Sequence, residues 1–113
     1  MLPENEVPAS FADLEGSFVK IVSQVQALRE AMHEPAAAYC SIVVRAAHGE
    51  EVPIAEWEAA EAAIKPISIR LSRCAAMLLH LQNELTAVNA GAAQHLVKRF
   101  SEDLAALPAA GQA

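Results

Sequence analysis

The chain has 113 residues, 54% of them hydrophobic, and a formal net charge of −6. This length suits one domain with a real core, and the hydrophobic content excludes a disordered chain. Eight Lys and Arg against fourteen Asp and Glu argue against nucleic-acid binding, because phosphate contacts need a clustered excess of cations. The longest strictly apolar run, residues 74–79, is too short to cross a bilayer, and the acidic N-terminus is unlike a secretory signal. We therefore expect a cytoplasmic protein without membrane contact, and the alanine-rich composition is compatible with a bacterial source.

Apolar residues recur along most of the chain at alternating intervals of four and three. Such spacing places them on one stripe of an α-helix, which another helix must cover. The sequence therefore predicts an all-α bundle of four to five helices with antiparallel neighbours. The two clearest runs are Phe11, Leu14, Phe18, Ile21, Val25, Leu28, Met32 and Trp57, Ala60, Ile64, Ile67, Leu71, Cys74, Leu78, Leu81, Leu85, Val88.

The first predicted helix covers residues 10–33, after a disordered tail at 1–9. Ser10 and Asp13 form a capping-box type of start, in which side-chain oxygens accept from early backbone N–H groups. Pro35 is predicted to end this helix, because proline disfavours helical geometry in the residue before it and suits a first helical turn.

The second predicted helix, residues 36–48, is apolar nearly all round and stops at Gly49. Only Ser41, Arg45 and His48 form a polar line along it. A helix with so narrow a polar line is expected to be largely buried.

A long helix is predicted over residues 54–88, with Pro66 in its interior. The four–three stripe passes through the proline without a change of phase, which favours one helix kinked there over two helices meeting there. A last helix is predicted over 92–107, before a disordered tail at 108–113. Residues 10–107 thus form one helical-bundle domain.

The sequence offers few chemical constellations. Glu30-x-x-His33 has the spacing of helical di-iron ligands, but no second such pair exists. His80 and Glu84 lie one helical turn apart, a weak metal signal. No phosphate loop or nucleophile motif is present, so we expect neither enzymatic activity, nor a cofactor, nor a bound metal. The two cysteines, at positions 40 and 74, lie in apolar stretches and are expected to be buried, reduced thiols.

The long helix separates its charges. Five acids and no base lie between Glu50 and Glu61, and three bases and no acid lie between Lys65 and Arg73. Antiparallel pairing of two copies across Pro66 would bring acids opposite bases, although acids near a helix start and bases further along are also favourable in any single helix. The candidate homodimer interface comprises Ile69, Arg70, Arg73, Ala76, Leu79, Glu58 and Glu61.

These features favour a non-enzymatic protein–protein interaction module, such as an adaptor, a regulator or a secretion-type chaperone, that forms a homodimer. The alternative is a small-molecule sensor with a pocket between helices. Pockets prefer large amphipathic aromatics, so the candidate pocket residues are Tyr39, Cys40, Trp57 and Met77.

Overall fold

The computed structural model describes residues 10–108, which form four helices and no strand. They are α1 (Phe11–Ala47), α2 (Ile54–Val88), α3 (Ala90–Arg99) and α4 (Ser101–Ala105). The long helices α1 and α2 pack against each other as an antiparallel hairpin, which confirms the predicted all-α bundle. The tail predicted at 1–9, and residues 109–113 of the tail predicted at 108–113, lie outside the described residues.

The predicted break at Pro35 is wrong, and with it the separate helices 10–33 and 36–48. A single helix runs through Pro35. An interior proline costs about 3 kcal/mol, because it removes a hydrogen bond and crowds the carbonyl four residues back. Met32, Tyr39 and Ile42 nevertheless keep the four–three phase across it, and Ile42 is buried. Packing of the same face on both sides of the proline offsets the local cost.

The long helix predicted over 54–88 is present with those bounds and passes through Pro66. Its proline is exposed, and the residues that pack towards α1 keep one phase on either side of it. Both long helices therefore tolerate an interior proline for the same reason.

The predicted last helix, 92–107, is divided at Phe100 into α3 and α4. The Phe100 N–H bonds to the carbonyl of Val97 at 3.2 Å, which tightens the turn. This turn brings the Phe100 ring to 6.2 Å from the ring of Phe18 in α1. The end of the chain is also tied to α1 by Asp103, whose carboxylate accepts from Arg29 at 2.9 Å and from Gln26 at 3.0 Å.

Local hydrogen bonds and backbone conformation set the helix ends, including the start of α3 at Ala90, two residues before the predicted start. The Ser10 hydroxyl accepts from the Asp13 N–H at 3.2 Å and donates to the Asp13 carboxylate at 2.9 Å. Gly49 has a φ of 87°, a left-handed conformation that favours glycine after a helix. Asn89 caps α3 by accepting from the Ala92 N–H at 3.1 Å.

One half of the molecule, which we call the base, holds the hydrophobic core. The base consists of residues 10–32 and 67–108, where α3 and α4 add a layer to the α1–α2 pair. Leu78 is buried there as predicted, and Leu81 packs against the core while partly exposed. Leu96 of α3, which was not predicted as a core residue, is also buried. The clustered residues are Leu14, Phe18, Ile21, Val22, Val25, Leu28, Cys74, Leu78, Leu85, Ala93 and Leu96.

The other half, which we call the arm, is the α1–α2 hairpin from residue 33 to residue 66. None of the clustered core residues comes from it, and the described molecule measures 68 × 29 × 20 Å. The prediction that residues 36–48 are largely buried is therefore wrong. Ile42 is buried in that stretch, whereas Cys40, Val43 and Val44 are exposed. Two helices alone cannot cover an apolar arc wider than the face that they share.

Candidate interaction surfaces

Beside the stripe that continues through Tyr39 and Ile42, α1 carries a second row of apolar residues, which Arg29 interrupts between Val25 and Ala36. In the base it includes Phe18, Val22 and Val25, which are fully or almost fully buried. In the arm this row keeps the four–three spacing, but no other segment of residues 10–108 covers it. The Val43 side chain is 43% exposed. Neighbouring Val44 and Ile54 are 54% and 73% exposed. In the arm, this second row consists of Ala36, Cys40, Val43 and Ala47.

The residues predicted as a dimer interface are all exposed on α2. Ile69 and Leu79 are 38% and 50% exposed. The four charged members make no ion pair within the described part of the chain, where the charged pairs involve other residues. Their charges are therefore free to meet a partner. The full set is Glu58, Glu61, Ile69, Arg70, Arg73, Ala76 and Leu79.

At the tip of the arm, Arg45 pairs with two of the five acids that lie between Glu50 and Glu61. Its guanidinium pairs with Glu50 and, at 3.2 Å, with Glu56. The hydrogen bond that Arg45 donates to Glu50 is the main reason that the pKa of Arg45 lies above its usual value, and the bond that it donates to Glu56 adds to it. This cluster closes the turn between α1 and α2, so Glu50 and Glu56 are engaged within the chain.

The structure brings together only part of the predicted pocket. The rings of Tyr39 and Trp57 meet edge to face, with centroids 5.8 Å apart. Cys40, the residue after Tyr39 in α1, is exposed. Met77 lies twenty residues along α2 from Trp57, about 30 Å away at the helical rise. Met77 instead lines a different cavity, in the base.

That cavity belongs to a groove between α1 and α2, which we call the base groove. A cavity of about 630 Å³ is lined on the α1 side by Ser17, Lys20, Ile21 and Gln24. A neighbouring cavity of about 190 Å³ shares two of its lining residues and extends the groove along the hairpin. The α2 wall consists of Arg70, Arg73, Cys74, Ala76, Met77, His80 and Leu81.

Sequence reasoning missed the α1 wall of this groove. Lys20 and Gln24 lie one turn apart beside the stripe residues Ile21 and Leu28. That spacing predicts an exposed helix flank, and only the position of α2 shows that the flank borders a cavity.

The two cysteines differ, contrary to the expectation that both are buried. Cys74 is buried in the base core, while Cys40 is exposed on the arm. Burial raises the pKa of the Cys74 thiol, and the positive charge of Arg70 opposes that rise. A buried thiol with a raised pKa is a poor nucleophile.

The candidate metal ligands lie on the surface of the helices. Glu30 and His33 are exposed and border a cavity of about 400 Å³ with Gln26 and Arg29. His80 Nε2 lies 3.7 Å from the Glu84 carboxylate. Within residues 10–108, no group of three or more His, Cys, Asp or Glu side chains is placed to hold a metal ion.

No protein-family model, curated protein or solved structure has a significant match to this chain. No described helix is both long enough and apolar enough to span a bilayer.

Proposed function

We propose that this protein is a non-enzymatic helical interaction module that acts in the cytoplasm as a homodimer, in the manner of an adaptor, a regulator or a secretion-type chaperone. The observation that carries this proposal is the exposed apolar surface of α2, where Ile69 and Leu79 are 38% and 50% exposed beside charges that make no ion pair within residues 10–108. Contiguous apolar surface on a small protein is typical of a partner site. A second copy is the simplest partner with matching helices.

The charges of α2 support an antiparallel arrangement of two copies about Pro66. Glu61 and Glu58 lie five and eight residues before the proline, or about 7 and 12 Å along the helix. Arg70 and Arg73 lie four and seven residues after it, or about 6 and 10 Å. These intervals are similar, so a two-fold axis at Pro66 brings each acid to the same height along the helix axis as a base of the other copy.

The two kinds of contact have different roles in this dimer. Each exposed ion pair is worth only about 0–1 kcal/mol, because water and salt screen it. Apolar side chains such as Ile69 and Leu79 supply the affinity by leaving water, while the charges set the orientation.

Sedimentation equilibrium tests the proposal directly. We expect the wild-type chain to form a dimer at micromolar concentration. The double variant Arg70→Glu, Arg73→Glu is expected to weaken the dimer about tenfold or more, because it places like charges against Glu58 and Glu61. Adding Glu58→Lys and Glu61→Lys to the same chain is expected to restore much of the affinity.

A variant with the same change of charge elsewhere serves as the control. Lys20→Glu combined with Lys98→Glu alters exposed lysines outside the proposed contact and is expected to leave the dimer intact. A wild-type chain that stays monomeric at high micromolar concentration would disprove the homodimer. If the arginine reversals leave the dimer unchanged and Val43→Glu dissociates it, the contact lies on the exposed apolar row of α1, and the antiparallel pairing of α2 about Pro66 is rejected.

A further inference from the structure

The base groove combines an apolar floor with a cationic rim. Its floor contains Ile21, Leu28 and Cys74, which are 5% to 6% exposed, and the half-exposed side chain of Met77. Methionine is flexible and polarisable, so it adapts to varied apolar partners. This floor lies on a different side of the α1–α2 pair from the cavity that α2 forms with α3 and α4.

The rim of the groove carries positive charge from both helices. Lys20 lies on the α1 wall, and Arg70 and Arg73 lie on the α2 wall. No acid lines either cavity, and none of these three cations makes an ion pair within residues 10–108. On a chain with a net charge of −6, this local cluster of unpaired cations is opposite in sign to the molecule as a whole.

The length of the groove matches a short helix. Its walls extend over residues 17–28 of α1 and 70–81 of α2. Eleven residues of rise correspond to about 17 Å, or three helical turns. Helices that bind in grooves use anchors at positions i, i+3, i+4 and i+7, which extend over about two turns.

We propose that the base groove binds an acidic amphipathic helix of a partner protein. Apolar side chains on one face of that helix pack on Ile21, Met77 and Leu81, while carboxylates on its flanks pair with the rim cations. The groove shares Arg70, Arg73 and Ala76 with the proposed homodimer contact, so helix binding and dimer formation compete for these residues, whereas Lys20 on the α1 wall belongs to the groove alone.

The binding test uses a fluorescein-labelled synthetic helix of about 18 residues, long enough to cover the groove. Leu occupies its i, i+3, i+4 and i+7 positions, Glu flanks them and Ala fills the rest. A control peptide has Lys in place of every Glu. By fluorescence anisotropy, the full chain is expected to bind the Glu peptide at least about tenfold more tightly than the Lys peptide. The net charge of the protein favours the opposite order, so this preference identifies the local rim.

Variants assign the binding to the groove. Lys20→Glu is expected to weaken the Glu peptide about fivefold or more and to leave the sedimentation mass unchanged, which separates this site from the dimer contact. Met77→Asp, at an exposed side chain, is expected to weaken both peptides. The matched control Lys98→Glu, with the same change of charge on α3, is expected to change affinity less than about twofold.

Several results would overturn the proposal. They are equal binding of the two peptides, equal effects of Lys20→Glu and Lys98→Glu, or failure of the Glu peptide to bind at high micromolar concentration. Binding of the wild-type chain to phosphatidylserine vesicles in place of the peptide would assign the cations to a lipid surface and also reject the helix. Tight peptide binding only after removal of residues 1–9 would show that the chain itself occupies the groove.

Discussion

The base and the arm are built from the same two helices, yet only the base is covered. In the base, α3 and α4 cover the side of α1 that includes Phe18, and a continuous core forms. In the arm the same side of α1 presents Val43 to water. The second apolar row of α1 is therefore covered by other helices in the base, whereas no described segment covers it in the arm.

Most of the stability is therefore expected from the base core, whereas the proposed binding surfaces use side chains that are exposed on α2 and along the base groove. Core burial contributes most to the free energy of unfolding, so changes in the base are expected to be costly. Exposed apolar side chains contribute little to the isolated chain and remain available to partners.

The largest expected effect comes from a leucine in the base core. Leu85 is fully buried, and Leu85→Ala should lower the free energy of unfolding by about 2–5 kcal/mol through lost burial and a cavity. Val44 in the arm is 54% exposed, and Val44→Ala should change the free energy of unfolding by under about 1 kcal/mol. Urea titrations of both variants measure the contrast, and similar losses at the two sites would contradict it.

The two cysteines provide the next test. Cys40 is exposed on the arm and Cys74 is buried with a raised pKa, so one thiol per native chain should react quickly with a disulfide reagent. The second should react at least about tenfold more slowly, because it must wait for opening of the core. Absorbance at neutral pH follows both phases. The fast phase should disappear in Cys40→Ser, and its persistence there would show that the base opens readily.

A smaller difference should separate the unfolding of the arm from that of the base. Trp57 is the one tryptophan of the chain and packs on Tyr39 in the arm, so its fluorescence reports on that region. Because the arm has few buried contacts, the fluorescence change should have a lower urea midpoint than the loss of helix measured by circular dichroism. Tyr39→Ala should widen the gap and Tyr39→Phe should preserve it. Coincident midpoints in all three chains would show that both regions unfold as one unit.

The cap of α1 should contribute about 1 kcal/mol. Ser10→Ala removes the hydroxyl that accepts from the Asp13 N–H, and losses of this kind lie near that value. Ser23→Ala, at an exposed position within α1, is the matched control and should change stability little. Equal effects in thermal unfolding would mean that the cap contributes nothing specific.

The smallest effect is expected at the tip of the arm. Arg45→Met removes the pairs with Glu50 and Glu56, which are exposed and therefore screened by salt. Any loss of stability should be small at low salt and should vanish in molar sodium chloride. A loss that persists at high salt would show that Arg45 acts through the packing of its methylene chain.

Much of the fold could be predicted from residue spacing, and the exceptions have a common origin. The bounds of α2, the Ser10 cap and the stop at Gly49 follow from phase and local hydrogen bonding. The break predicted at Pro35 is wrong because packing along the stripe that continues through the proline offsets its local cost. At Pro66 the continuous phase predicts one helix, and that single helix is present.

The candidate surfaces were predictable only in part. Exposed charges such as Glu58 and Arg73 could be placed on one helix from the sequence, because helical neighbours are fixed by spacing. The division of the last helix at Phe100 could not be predicted, because it accompanies contacts with residues far away in the chain. Phe100 packs near Phe18, and Asp103 accepts a hydrogen bond from Arg29. The pairing of Tyr39 with Trp57 could be suspected, whereas the distance of Met77 from them depends on how the helices are placed.

From the sequence alone it could be predicted that this protein is helical, where α1 begins, where α2 begins and ends, and which residues form the apolar stripes of the two long helices. These are local properties, set by hydrogen bonds and side-chain spacing within a few residues. Only the tertiary structure decided which part of each stripe is covered. The short α3–α4 segment packs on one half of the hairpin, so residues of equal hydrophobicity become core at Val25 and surface at Val44. Burial depends on which segments meet in space, and a periodic pattern shows that a partner is needed without showing where the chain provides one.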